Sequence, residues 1–239
     1  MAYYLEFDGY NDHVNLPAWS DTFSSYISLE VSFSPDVSVP AGYEKIFGVG
    51  NYSFPQFSQT VGFFSLEALG GGAGWNFVFT DATDNRRISN SFSASDPNKV
   101  YTFRAYYNDP LSTLDLYISE DGGGETLIQS YINISRNVFA SKPGLHIGEA
   151  ANGGPNFKGS LYAFKIDVDG TSVRTYDPSA SEGTGSVLPD TTSLQDGTLA
   201  YFPADDSEWV FYSDGLTTPI NLSITNLLST SARLNWEQG

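Results

Sequence analysis

Hydrophobic and polar residues alternate in short runs along most of the chain, the period of a strand with one face buried. Tyr4, Glu6 and Asp8 alternate with Leu5 and Phe7, Asp8-Gly9 interrupts the run, and a second run follows from His13 to Leu16, which predicts a β-hairpin at the start of the chain. Comparable runs recur every eight to twelve residues: Ile27 to Phe33, Glu44 to Val49, Val61 to Leu66, Trp75 to Phe79, Arg87 to Phe92, Val100 to Tyr107 and Leu114 to Ser119. Within the sixth, Tyr101, Phe103, Ala105 and Tyr107 alternate with Thr102, Arg104 and Tyr106. Asn108-Asp109-Pro110 then supplies turn chemistry before Leu114, Leu116 and Ile118 return antiparallel. Glu120-Asp121-Gly122-Gly123-Gly124 makes the next loop, ahead of a run from Thr126 to Ile132. No segment sustains a helical period. The pattern predicts an all-β antiparallel sandwich, with Phe7, Val14, Leu29, Val31, Phe103, Leu116, Ile118, Leu161, Phe164 and Ile166 pointing inward.

Composition narrows this further. The 239 residues suit one β-sandwich, and 17 Phe, 15 Tyr and 4 Trp beside 23 Gly and 12 Pro favour strands and turns. Eleven basic against 28 acidic residues give a net charge of −17, which opposes binding to nucleic acid or anionic membranes. The chain has no cysteine, so stability rests on packing, without disulfides or thiolate metal sites. No apolar stretch is long enough to span a bilayer. If Met1 is the true start, no signal peptide precedes the first strand.

The opening Leu5-Glu6-Phe7-Asp8-Gly9, followed by Asn11-Asp12 and Val14-x-Leu16-Pro17, resembles the first two strands of laminin-G-like or concanavalin A-like jelly-roll domains. A second stretch strengthens the likeness: Leu145-His146-Ile147-Gly148, then Phe157-Lys158-Gly159-Ser160-Leu161 with Phe164 and Ile166, is similar to the late strand pair of that family. The resemblance spans residues 3 to about 170 and implies a jelly-roll sandwich of a kind that mostly binds sugars or proteins. Residues 171–215 form a Pro/Gly/Ser-rich extension, expected to end in a last strand lying across the sandwich. Its Thr198-Leu199-x-x-Phe202-Pro203-Ala204-Asp205 and Ser207-x-Trp209 phrase is similar to tail-associated proteins of marine phages. The first domain is therefore 1–215, and 216–239 is a linker with a different unit: Pro219 to Leu227 and Ser229 to Trp236 resemble the first two strands of a fibronectin type III domain. Some twenty residues do not bury enough surface to fold alone, so the segment is either the stub of a longer protein or is completed by another chain.

Candidate chemistry is sparse. The Glu-x-Asp-x-x-Glu strand of jelly-roll glycoside hydrolases is absent, so no catalytic residues are assigned. Glu120, Asp121 and Glu125 crowd a Gly-rich loop and read as solvated turn residues, while His13 and His146 each sit in a strand-like run and read as structural. Two constellations stand out. Asp8, Asn11 and Asp12 in the opening turn, with Asp167 and Asp169 at the end of the late strand, are a candidate calcium site if the fold brings those ends together. Against this stands the frequency of Asp and Asn as turn-capping residues. Tyr52, Phe54 and Phe57, with Trp75 and Asn76 after a Gly-rich loop, offer flat rings and amides of the kind sugars use, and are the candidate glycan-binding residues unless they fill the core.

These readings lead to the expectation of a non-enzymatic module of a phage tail fibre or capsid-decorating fibre, located on the virion or outside the cell, that recognises host-surface glycans. The alternative is a structural virion subunit that docks on virion proteins or on copies of itself, through residues 219–239, without binding sugar.

Overall fold

The structure, a computed structural model, describes residues 2–18, 22–36, 44–49, 64–68, 74–80, 86–139, 145–148 and 156–212. Sixteen strands run through them: β1 (Ala2–Asp8), β2 (His13–Leu16), β3 (Tyr26–Pro35), β4 (Lys45–Val49), β5 (Phe64–Ala68), β6 (Trp75–Thr80), β7 (Arg86–Ile88), β8 (Tyr101–Asn108), β9 (Thr113–Glu120), β10 (Thr126–Tyr131), β11 (Leu145–Ile147), β12 (Lys158–Val168), β13 (Thr171–Tyr176), β14 (Val187–Leu188), β15 (Gly197–Ala200) and β16 (Trp209–Tyr212). The first sheet has the order β10-β9-β8-β3-β12-β1-β16, with β13 continuing the β12 edge beyond β1; the second has the order β14-β15-β2-β11-β4-β5-β6-β7. All pairings are antiparallel, and the two sheets pack as a jelly-roll sandwich. No helix among the described residues is long and apolar enough to cross a membrane.

The alternation in β8 sets the register of the first sheet. Tyr101, Phe103, Ala105 and Tyr107 are buried and their neighbours half-buried, which is what a strand with one covered face requires. Aromatic rings then tie the sheets together: Phe103 packs against Phe47 at 6.4 Å, Phe77 at 5.6 Å and Phe92 at 5.5 Å, and Phe47 reaches Phe164 at 5.3 Å. Of the ten expected core residues nine are buried, and Ile118 packs against the core while half-buried near the open end of β9.

Two expectations are corrected. β1 and β2 do not form a hairpin: β1 lies between β12 and β16 in the first sheet, while β2 lies between β11 and β15 in the second. The Asp8–Asp12 turn is thus a corner between sheets, closed by the Asp8 amide donating to Asp12 Oδ2 at 3.0 Å and by Gly9 at φ +82°. Nor does the 171–215 extension lay one strand across the sandwich. Through β16 it adds an edge to the first sheet, and through β14 and β15 an edge to the second. The fibronectin-like segment 219–239 lies outside the described residues.

The acidic loop resolves into ion pairs, Lys99 with Glu120 and Arg104 with Glu125, rather than a carboxylate pair. Asp169 and Gly170, both at positive φ, form the β12–β13 turn. The Asp169 carboxylate accepts from the amides of Ser24, Ser25 and Tyr26 and from the Ser24 hydroxyl at 2.7 to 2.9 Å, anchoring the start of β3.

Phe164 is fully buried between the sheets, so Phe164→Ala should cost about 3–5 kcal/mol in denaturant unfolding, whereas a cost below about 1 kcal/mol would contradict the register of β12. Backbone hydrogen bonds hold the Asp169 carboxyl well below the usual carboxylate range. A depressed value stabilises the fold above the unfolded value and loses that contribution as pH falls. Asp169→Ala should therefore melt several degrees below the parent at pH 7, and the gap should close as the pH is taken below about 4.

Candidate functional site

Pleating turns every second residue of the second sheet away from the core, and the registers align those residues in rows. One row runs Thr198, Asn15, His146, Gly48, Ser65, Val78 and Ile88 across seven strands. Beside it, Ala200 pairs with His13 on one side, and Lys45, Glu67 and Asn76 pair in turn on the other. The outer face is therefore a polar strip with a small-residue floor at its centre. Lys45 crosses that floor: a Cβ placed on Gly48 would meet the Lys45 side chain at 2.9 Å and Ser65 at 3.0 Å.

The strip differs along its length. At the β4–β6 end Lys45, Ser65, Asn76 and Val78 are buried although they face away from the inter-sheet core. At the β15–β2–β11 end His13, Asn15, His146 and Ala200 are half-exposed, and Thr198 is open. His146 Nδ1 lies 2.8 Å from Asn15 Oδ1, and the His13 and His146 rings are 6.3 Å apart. His13 Nδ1 is 3.0 Å from the Asn11 carbonyl; a carbonyl only accepts, so the proton sits on Nδ1 and the neutral ring offers Nε2 as an acceptor. Tyr201 stands over His13 with ring centroids 5.5 Å apart and is 71% exposed.

The expected site residues are dispersed. Trp75 is fully buried, its indole N–H donating to the Ala94 carbonyl at 2.9 Å, and its ring packs edge-on against Phe33. It fills the core and presents no face to a sugar. Asn76 is buried too, its amide donating to the Ser89 carbonyl and Ser91 hydroxyl at 2.8 and 3.1 Å, so it fastens β6 to the segment after β7. Tyr52, Phe54 and Phe57 lie outside the described residues.

The two halves of the candidate calcium site do not meet. Asp8 pairs with Lys158 at one end of β12, whereas Asp167 lies nine residues further along that strand, about 30 Å away at strand rise. Asp167 accepts from Ser172, Asp169 is occupied by the β3 amides, and Asn11 gives its carbonyl to His13. No group of three or more His, Asp or Glu among the described residues is arranged to hold a metal ion. The family likeness places β1 and β12 side by side, but antiparallel pairing puts the late aspartates at the far end.

What the opening turn does hold is strained electrostatics. Asp12 is buried, and that burial, with the charges of Asp8 and Glu208, pushes its carboxyl up to about 6 against the opposing hydrogen bond from the Asp8 amide. Glu208 is likewise buried and shifted up, first by burial and then by Asp206 and Asp205; its Oε2 has no hydrogen-bond partner.

No family model matches the chain, and no curated protein matches it. Solved structures do. A putative carbohydrate binding protein from Bacteroides ovatus superposes with TM-score 0.52 at 13% identity over 83% of this chain, which spans 58% of that protein. A heptameric SAP-like pentraxin from Limulus polyphemus gives 0.44 at 12% identity over 69% of this chain and 75% of its own. The CBM40 of a Ruminococcus gnavus sialidase gives 0.42 at 12% identity over 64% of this chain and 92% of its own. At such identities the Bacteroides likeness is one of fold.

A raised folded-state value makes protonated Asp12 the stabilising form: its contribution is complete below the ordinary value of 3.8 and is lost as pH rises through about 6. Asp12→Asn keeps the acceptor for the Asp8 amide without the charge. It should match the parent melting temperature near pH 4 and exceed it at pH 8, by at most about 3 kcal/mol of unfolding free energy; a variant less stable at pH 8 would contradict the burial of charge here.

Proposed function

We propose that this chain is a carbohydrate-binding module whose ligand seats at the open end of the outer strip of the second sheet. The observation that carries the reading is the convergence of His13, Asn15 and His146, from two adjacent strands, on one solvent-accessible patch with an exposed tyrosine beside it. Imidazole and amide groups match the mixed donors and acceptors of sugar hydroxyls, and a rigid sheet holds them in place. The sandwich fold is one that carbohydrate-binding proteins use, and the acidic surface suits an extracellular rather than a nucleic-acid partner. The setting we propose is a virion appendage such as a phage tail fibre meeting host-surface glycans, on the strength of the 198–209 phrase and the fibronectin-like residues that follow.

A second reading, a structural subunit that docks without sugar, draws on a different face. On the outside of the first sheet Tyr4, Tyr162 and Tyr212 lie 5.3 to 5.9 Å apart, the kind of aromatic patch found at protein interfaces. Glycan-array binding by the purified full chain separates the two. Asn15→Ala and His146→Ala should each weaken glycan binding about tenfold or more with little change in melting temperature. Binding that ignores both changes would move the site elsewhere, and no binding to any glycan, together with self-association lost in Tyr162→Ala, would favour the structural role.

A further inference from the structure

Tyr201 is held outward by its neighbours. It follows β15 with φ +66°, a left-handed conformation that an aromatic residue rarely adopts, while the next residue, Phe202, turns inward and packs edge-on against Phe7 with centroids 5.2 Å apart. One aromatic is anchored in the core and its predecessor is left standing in water, at a backbone conformation that glycine would take more readily. Backbone conformations of this kind cluster at ligand sites. The Tyr201 ring leans on His13, whose Nε2 is the acceptor, and His13 adjoins the Asn15–His146 pair. A flat apolar surface thus borders a row of hydrogen-bonding groups.

The surroundings are acidic. The turn that carries His13 contains Asp8 and Asp12, and the segment after Tyr201 contains Asp205, Asp206 and Glu208; Asp205 and Asp206 act electrostatically on Glu208, and Glu208 and Asp8 on Asp12. Lys45 lies at the other end of the strip, beyond Gly48.

We infer that Tyr201 is the stacking platform for the C–H face of a neutral pyranose, that His13 Nε2 accepts from one of its hydroxyls, and that the acidic corner around them excludes sialylated, uronate-containing and sulfated glycans. This rests on the carbohydrate reading and assigns it a residue and a ligand class. A pyranose presents just such an amphipathic pair of surfaces, an apolar ring face and a polar rim, and a carboxylate or sulfate brought to this corner would meet like charges, while Lys158, whose stem lies against Gly9 in the same turn, is already paired with Asp36.

The test is binding of the full chain to two panels, neutral gluco-, galacto- and manno-oligosaccharides and their sialylated, uronic or sulfated counterparts, with Tyr201→Ala, Tyr201→Gly, Tyr201→Trp and His13→Ala beside the parent. The parent should bind a member of the neutral panel and none of the anionic one. Tyr201→Ala and Tyr201→Gly should lose about tenfold or more in affinity, Tyr201→Trp should retain binding, and His13→Ala should lose severalfold. Tyr201→Gly should melt at or above the parent temperature, which separates a ligand platform from a structural ring. Neutral binding indifferent to Tyr201 overturns the platform while leaving the carbohydrate reading intact. Preference for the anionic panel overturns the ligand class, and absence of binding to either panel overturns the carbohydrate reading and this inference with it.

Discussion

Aromatic packing between the two sheets is the constraint on which the rest of the molecule depends. The chain has no cysteine to form a disulfide between the layers, and the rings of Phe47, Phe77, Phe103 and Phe164 carry the contact. Their geometry is oblique or offset, the arrangement the ring quadrupole favours. Because side chains alternate strictly across a pleated strand, fixing Phe103 and Phe164 inward also fixes Arg104 and Lys165 outward, where they meet Glu125 and Glu30. The same rule, applied to Ile147 and Val14 in the second sheet, puts His146, Asn15 and His13 on its outer face. The candidate site is therefore a consequence of the core.

Where local pattern decides, the sequence was legible. The runs around Ile27, Lys45, Tyr101 and Leu114 became strands within a residue or two, and Asn108-Asp109-Pro110 turned β8 into β9. Partner choice was not legible. Asp8-Gly9 has hairpin chemistry, but the core takes both flanking strands into different sheets, because Leu5 and Phe7 pack with β12 while Val14 and Leu16 pack with β11. Trp75 next to a Gly-rich loop looked like a binding residue, yet the inward phase of β6, shared with Phe77 and Phe79, assigns it to the core.

The site was missed for a related reason. His13 and His146 are far apart in the chain, and nothing in either local run signals that the β2–β11 register sets His146 opposite Asn15 and close to His13. Tyr201 is harder still. It sits in a phrase rich in Pro, Asp and Ser, and its exposure follows from a left-handed φ and from the inward anchoring of Phe202, neither of which alternation encodes. The calcium expectation failed on direction: adjacency of β1 and β12 was anticipated, but antiparallel pairing places Asp8 and Asp167 at opposite ends of one long strand.

The corner at residues 8 to 13 links these threads. It must carry the chain from one sheet to the other within a few residues, and it does so by burying Asp12, whose carbonyl accepts from Asn156 at 3.2 Å and whose carboxylate closes the turn on Asp8. The end of β11 passes the same corner so closely that a Cβ on Gly148 would stand 2.5 Å from the Phe7 ring and 3.1 Å from the Asp12 carbonyl, at φ +85°. Only glycine permits that approach, and two residues earlier the β2–β11 register sets His146 against Asn15. A buried carboxylate raised toward neutrality is a destabilising feature at pH 7, yet it occupies the one turn from which β1 enters the first sheet and β2 presents His13 to the outer face of the second. The charge cost of the buried Asp12 carboxyl thus falls in the turn where the fold changes sheets, the same turn that delivers His13 to the candidate site.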